Sequence, residues 1–195
     1  MTVSNSELTL RNRTLEEARV NRLYAFGTAD IFQRRAARLR KKLNILNYIG
    51  IAVPLLVGAT VMSFGPDIEW LSIVGIVGAT VLLGQIAVSL WSLIAGWVDQ
   101  HAHANESVTV NNDLVRRYDE LLGGRIPVGQ LKTQFGLVLA DDHNRRALDT
   151  RQNPAEKEKR RGMRAALRHY QQRCATCKQM PTSLKPSDCD TCGNF

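Results

Sequence analysis

The chain has 195 residues, with 26 lysines and arginines against 18 acidic side chains and a formal net charge of +8. That length suits one or two small domains, yet the charge is spread too unevenly for a uniformly soluble basic domain. Two blocks hold no Asp, Glu, Lys, Arg or His: ILNYIGIAVPLLVGATVMSF at residues 45–64 and LSIVGIVGATVLLGQIAVSLWSLIAGWV at 71–98.

Residues 1–44 contain 10 basic and 4 acidic side chains. Thr14 and Glu17 have capping-box spacing, which predicts a helix with Leu15, Ala18, Phe26, Ala36, Leu39 and Leu43 on or near one side. Gly27 is a point where it could break. The segment ends in RRAARLRKK (34–42), directly before the first apolar block. A cleavable leader is not expected, because about 44 largely polar residues precede that block and no small-residue cleavage pattern stands out.

A helix of about 20 apolar residues crosses a hydrocarbon core of about 30 Å. Both blocks reach that length, so two spanning helices are expected. Buried helices of a soluble bundle are the competing reading, but such helices usually carry a charged polar stripe. The connector GPDIEW (65–70) bears Asp67 and Glu69 and no base, whereas arginine and lysine crowd the side before it. That bias puts the N-terminus on the cytoplasmic side. A six-residue connector then requires an antiparallel hairpin, which returns residues 99–195, with 16 basic and 12 acidic side chains, to the same side. Trp70, Trp91 and Trp97 fit interfacial belts. The second block, about 42 Å as a helix, is longer than the core and should tilt or project inward.

On the first span Gly50, Pro54 and Gly58 recur every four residues, and Gly75 and Ala79 repeat that spacing on the second. Small faces of this kind let helices approach closely in lipid. Gln85, Ser89, Ser92 and Gly96 fall on one face of the second span. Polar groups at that depth need a partner or water. Two readings stand: bonding across the hairpin, to Asn47 or to backbone, or lining a pore when several hairpins assemble. The absence of charge from both spans argues against a proton-coupled transporter or pump.

Beyond the hairpin, Leu114, Val115, Tyr118, Leu121 and Leu122 predict a helix ended by Gly123, Gly124 and Pro127. Leu131, Phe135, Val138 and Leu139 predict a second. NPAE (153–156) suggests an Asn153 cap with proline at the first helical position. It would open a basic helix that buries Met163, Leu167 and Tyr170. The run EKEKRRGMRAALRHYQQR (156–173) reads either as a solvated face laced with ion pairs or as a phosphate-binding one. His101, His103, His143 and His169 form no recognisable ligand set. No nucleophile elbow, phosphate loop, dinucleotide fingerprint or zincin motif occurs, so an enzyme is not expected.

All four cysteines lie in the final 22 residues, as CATC, eleven residues, then CDTC. Two such knuckles complete a closed tetrahedral site, making Cys174, Cys177, Cys189 and Cys192 candidate ligands of a structural zinc. An iron–sulfur centre or a redox pair is the alternative ligand chemistry. Disulfides are disfavoured by the expected cytoplasmic placement. Gly193 follows the last cysteine, where positive φ is often needed.

In plan, a two-span hairpin entered from a cytoplasmic helix and followed by cytoplasmic helices, the chain resembles the SLATT domains. Its cysteine spacing resembles the group within them named for a mobilome CxxC, eleven, CxxC pattern. The resemblance marks residues 45–64 and 71–98 as the spans and the four cysteines as the signature, and it supplies no catalytic residue. It implies a bacterial inner-membrane effector of conflict or anti-phage systems, which oligomerises and perforates the membrane when a sensor or nucleotide signal triggers it. The expected fold is thus an all-α membrane protein: a cytoplasmic basic helix (1–44), a transmembrane hairpin (45–98), cytoplasmic helices (99–173) and a zinc-knuckle tail (174–195). The lipid bilayer and further copies of the chain are the expected partners, with nucleic acid less expected. A membrane-tethered adaptor that recruits a partner through the basic helix and tail is the alternative function, and a small-solute channel a third.

Overall fold

The computed structural model describes residues 5–64 and 71–195, and every regular element among them is helical. The helices are α1 (Asn5–Phe64), α2 (Leu71–Ile94), α3 (Trp97–Leu122), α4 (Val128–Arg151) and α5 (Glu156–His169). The connector at 65–70, with Asp67, Glu69 and Trp70, lies outside the described residues.

The expected basic helix and first apolar block form one continuous helix of 60 residues. Thr14 does not cap it. Its hydroxyl donates to the Leu10 carbonyl at 2.9 Å, the back-bond of a threonine already inside a helix. Gly27 does not interrupt it either, and serves a helix crossing instead.

The chain divides into two compact units, residues 1–34 with 104–195 and residues 35–103. In the first, Ala18 and Ala25 of α1 pack with Leu114, Tyr118 and Leu121 of α3 and with Leu131, Phe135 and Val138 of α4. Charge is buried beside this core. Asp142, with no exposed surface, accepts from the Tyr118 hydroxyl at 2.7 Å and from Arg146 at 2.8 and 2.6 Å. Arg146 also reaches Asn21 of α1 at 3.0 Å. Two turns beyond Asp142, Asp149 accepts from Arg145 and from the Asn111 amide, while Arg145 also bonds Glu106. Each buried charge therefore has a partner, as burial of charge demands. Burial, followed by the bond to Asp142, pushes the Tyr118 phenol well above its ordinary range.

α5 starts two residues later than the Asn153 cap implied. Asn153 adopts φ +44 and its N–H bonds to Thr150, so it finishes the turn that ends α4. The cap residue is Ala155, whose N–H donates to the Glu158 carboxylate at 3.1 Å. α5 lies against α1 where two glycines meet. A Cβ on Gly162 would stand 2.6 Å from the Gly27 carbonyl oxygen, and one on Gly27 would stand 3.1 Å from the Gly162 backbone.

In the second unit, Gln85 Nε2 occupies space 2.5 Å from where a Gly50 Cβ would sit, and Val57 lies 3.2 Å from the same position on Gly78. Advancing from 50 to 57 on α1 matches retreating from 85 to 78 on α2, so the helices run antiparallel. Pro54, inside α1, has no N–H to give the Gly50 carbonyl, and the Gln85 amide brings a donor beside that residue. Near the other end, Lys42 Nζ sits 4.9 Å from the Trp97 ring centroid.

The second apolar block is not one helix to Val98. α2 ends at Ile94, Gly96 takes φ +61, and α3 begins at Trp97. Glycine at a helix end reaches this left-handed conformation without a Cβ penalty. Gln100 Nε2 donates to the freed Ala95 carbonyl at 2.7 Å. Gly96 therefore leaves the stripe of Gln85, Ser89 and Ser92. α1 and α2 each contain a stretch long and apolar enough to cross a membrane.

Candidate metal centre

The two knuckles share one plan. In CATCK the Lys178 N–H bonds back to the Cys174 carbonyl at 2.9 Å, and in CDTCG the Gly193 N–H bonds back to the Cys189 carbonyl at 2.8 Å. Thr176 and Thr191 hold equivalent places, with their hydroxyls 2.6 Å apart. The left-handed residues are Lys178 (φ +59) and Asn194 (φ +48), not Gly193. Gly193 is required for a different reason: its Cβ would lie 2.1 Å from the Ser187 carbonyl oxygen.

Cys174 Sγ stands 3.9 Å from Cys189 Sγ, and Cys177 Sγ stands 3.9 Å from Cys192 Sγ. All four sulfurs lie within 4.8 Å of one another. Zinc–sulfur bonds of about 2.3 Å in a tetrahedron require sulfur separations of about 3.8 Å. The donor set therefore fits a four-thiolate metal ion, and with four protein ligands it leaves no coordination position for a substrate.

The centre is built into the first unit rather than hanging from it. Cys174 and Cys192, each 1% exposed, form a cluster with Leu23 of α1 and with Ala166 and Leu167 of α5, and Phe26, Met163 and Tyr170 pack around it. Phe26 also stacks on His169 at 4.4 Å, which accounts for that histidine without a metal. From α5 the buried Arg164 donates to the Ser183 carbonyl at 2.8 Å, the Ser187 hydroxyl at 2.9 Å and the Cys192 carbonyl at 3.2 Å. Arg160 adds a bond to the Asn194 carbonyl at 3.1 Å. Arg164 was not legible as a site residue: in sequence it is one cation among many in a basic run.

The thiols differ in ease of ionisation. Backbone N–H groups of Cys192 and Thr191 directed at the Cys189 sulfur lower its pKa to about 6. Burial, reinforced by the neighbouring sulfurs, pushes Cys192 far above the usual thiol range. A bound cation would reverse that second effect by favouring thiolate.

Of the polar and small residues singled out in the apolar helices, Gln85 and Gly50 come together, with Gln85 Oε1 buried and without a hydrogen-bond partner. Ser92 is buried and Ser89 half-buried. Asn47, Pro54 and Gly58 are exposed, and nothing lies within 4 Å of a Gly58 Cβ. α1 thus turns Gly50 and Val57, seven residues apart, toward α2, and leaves Gly58 off that line.

A family model described as "Mobilome CxxCx(11)CxxC protein" matches residues 15–195. No curated protein and no solved structure matches the chain.

Proposed function

The chain belongs to the mobilome CxxCx(11)CxxC protein family, and from that premise we propose that it is a non-enzymatic, SLATT-like membrane effector. Residues 45–64 and 71–94 cross the bacterial inner membrane as a hairpin with both termini cytoplasmic. Several copies assemble and, when triggered by an upstream sensor or nucleotide signal, breach the bilayer. The four cysteines hold a structural zinc that braces the cytoplasmic unit.

The observation that carries this reading is the exposure of large apolar side chains on both helices of the hairpin. Ile51 is 65% exposed, Leu55 67%, Ile76 68%, Leu83 68%, Leu93 73% and Ile94 79%. A water-soluble fold rarely leaves so continuous an apolar surface uncovered. Hydrocarbon, and further copies in it, would cover this one. The basic run before residue 45 adds an attraction to anionic headgroups of about 1 kcal/mol per side chain.

The adaptor reading has less support from the basic helix, because Arg160 and Arg164 bond to the tail and Lys159 pairs with Glu156. Inducible expression in a bacterial host, with and without the neighbouring genes and under phage challenge, tests the proposal through a membrane-potential dye. Depolarisation that depends on an intact hairpin is the expected result. No depolarisation under any challenge overturns the effector reading.

A further inference from the structure

The two 3.9 Å sulfur pairs that suit a metal ion also set thiols of opposite knuckles against each other. Each pair joins one knuckle to the other, Cys174 with Cys189 and Cys177 with Cys192. Each also joins a half-buried residue (Cys189, Cys177) to a buried one (Cys174, Cys192). We infer that the centre is an oxidation site, at which an oxidant of the peroxide class converts the four thiolates into two disulfides between the knuckles, Cys174–Cys189 and Cys177–Cys192.

The less buried residue of each pair meets the oxidant first. Its thiolate attacks the peroxide O–O bond, becomes a sulfenic acid and releases one hydroxide. The buried partner's thiolate then attacks that sulfur, forms the S–S bond and expels the second hydroxide. Two bridges consume two hydrogen peroxides, transfer four electrons from sulfur to peroxide oxygen, release four hydroxides and free one Zn2+ where zinc was bound.

The surroundings favour these bridges over bridges within each CxxC. Arg164 holds Ser183, Ser187 and the Cys192 carbonyl from α5. The Thr176 and Thr191 hydroxyls meet at 2.6 Å, and neither set of contacts uses a thiolate. The two sulfurs of each pair therefore stay opposed as the metal departs. Bridges between the knuckles also preserve the join that the metal had supplied, whereas bridges within each knuckle abandon it. Oxidation thereby exchanges a metal cross-link for a covalent one of the same connectivity. In a reducing compartment thiol systems reverse it, which is the behaviour of a sensor rather than of a permanent staple.

The test uses the purified full-length chain treated with hydrogen peroxide beside a chromophoric zinc indicator, alkylated, then digested with trypsin. Cleavage after Arg173 and Lys178 puts the knuckles on separate peptides, 174–178 and 179–195, because the Lys185–Pro186 bond resists trypsin. The expected result is one linked species containing both peptides as the main oxidised product, formed as zinc appears in solution. Electron-transfer fragmentation of that species assigns the pairing without reliance on a variant. Cys174→Ser, in addition, should leave the Cys177–Cys192 bridge and an alkylatable Cys189. Separate peptides each closed by an internal disulfide, sulfinic acid without linkage, or Cys174 joined to Cys192 would each overturn the inference.

Discussion

Arg164 holds the tail by three hydrogen bonds to groups that are not metal ligands. Arg164→Leu keeps much of the side-chain volume and removes all three donors. Leaving buried acceptors unpaired costs about 1–3 kcal/mol each. From chain loaded with zinc, transfer of the ion to a competing chelator should therefore speed up at least tenfold, although all four cysteines remain. An unchanged transfer rate would show that the knuckles stand without α5. Gly193→Ala drives a Cβ into the Ser187 carbonyl, so the backbone must move, at about 1–3 kcal/mol. It should weaken metal retention although no left-handed residue is touched. The thiols give a pH prediction for reduced, metal-free protein. Cys189, with its pKa lowered to about 6, is largely thiolate at pH 7 and loses that character as pH falls through 6, while Cys192 stays protonated. Iodoacetamide pulses at pH 7 followed by mass spectrometry should label Cys189 first and Cys192 last, and acidification to pH 5 should suppress the Cys189 advantage.

Two helix contacts depend on the absence of a side chain. The α1–α5 crossing brings the Gly27 carbonyl within 2.6 Å of a Gly162 Cβ. Gly162→Ala must separate the helices and should lower the thermal midpoint of the compact unit that holds α5. Gly136, in α4 and exposed, has open space around its Cβ position. Gly136→Ala should instead stabilise by about 0.5–1 kcal/mol through reduced unfolded-chain entropy. The opposite signs, read in one thermal series, separate a packing role from general helix propensity. In the hairpin, the Val57 and Gly78 contact predicts that a Val57→Cys, Gly78→Cys double variant, with the native cysteines changed to serine, cross-links under mild oxidation. Gly58→Cys with Gly78→Cys should not, since position 58 has no neighbour there.

At the scale of the molecule, the cysteine cluster belongs to the core formed with Leu23, Ala166 and Leu167. Removal of a metal held there would therefore reach beyond residues 174–195. Hydrogen exchange after chelation under reducing conditions should rise in α5 and around residues 23–27 of α1, and stay unchanged at 71–94, which lies in the other compact unit. A rise confined to the last 22 residues would show the tail to be an independent knob.

Residue chemistry and spacing determined more of this protein than its average composition suggests. Two charge-free blocks, an apolar period along 114–122 and 131–139, and paired CxxC motifs led to an all-helical chain with a four-sulfur centre. These features are local, since each is written in residues a few positions apart. The details that depend on contacts between distant residues were not legible. Threonine and asparagine cap a helix only if the chain is not already helical, and Thr14 and Asn153 lie where neighbouring turns had claimed the backbone. Gly96 resembles any small residue of an apolar block until a second helix must begin beside it. The buried ion pairs of Asp142 and Asp149 carry no mark in the sequence, because burial is set by what packs against a residue. The same holds for the cysteines: spacing marked them as candidate ligands, but only the tertiary structure brought Arg164, Leu23 and Leu167 around them. Spacing within each CxxC is encoded in a single turn, whereas the support of the site comes from α5, just before the tail, and from Leu23 of α1, far away in sequence.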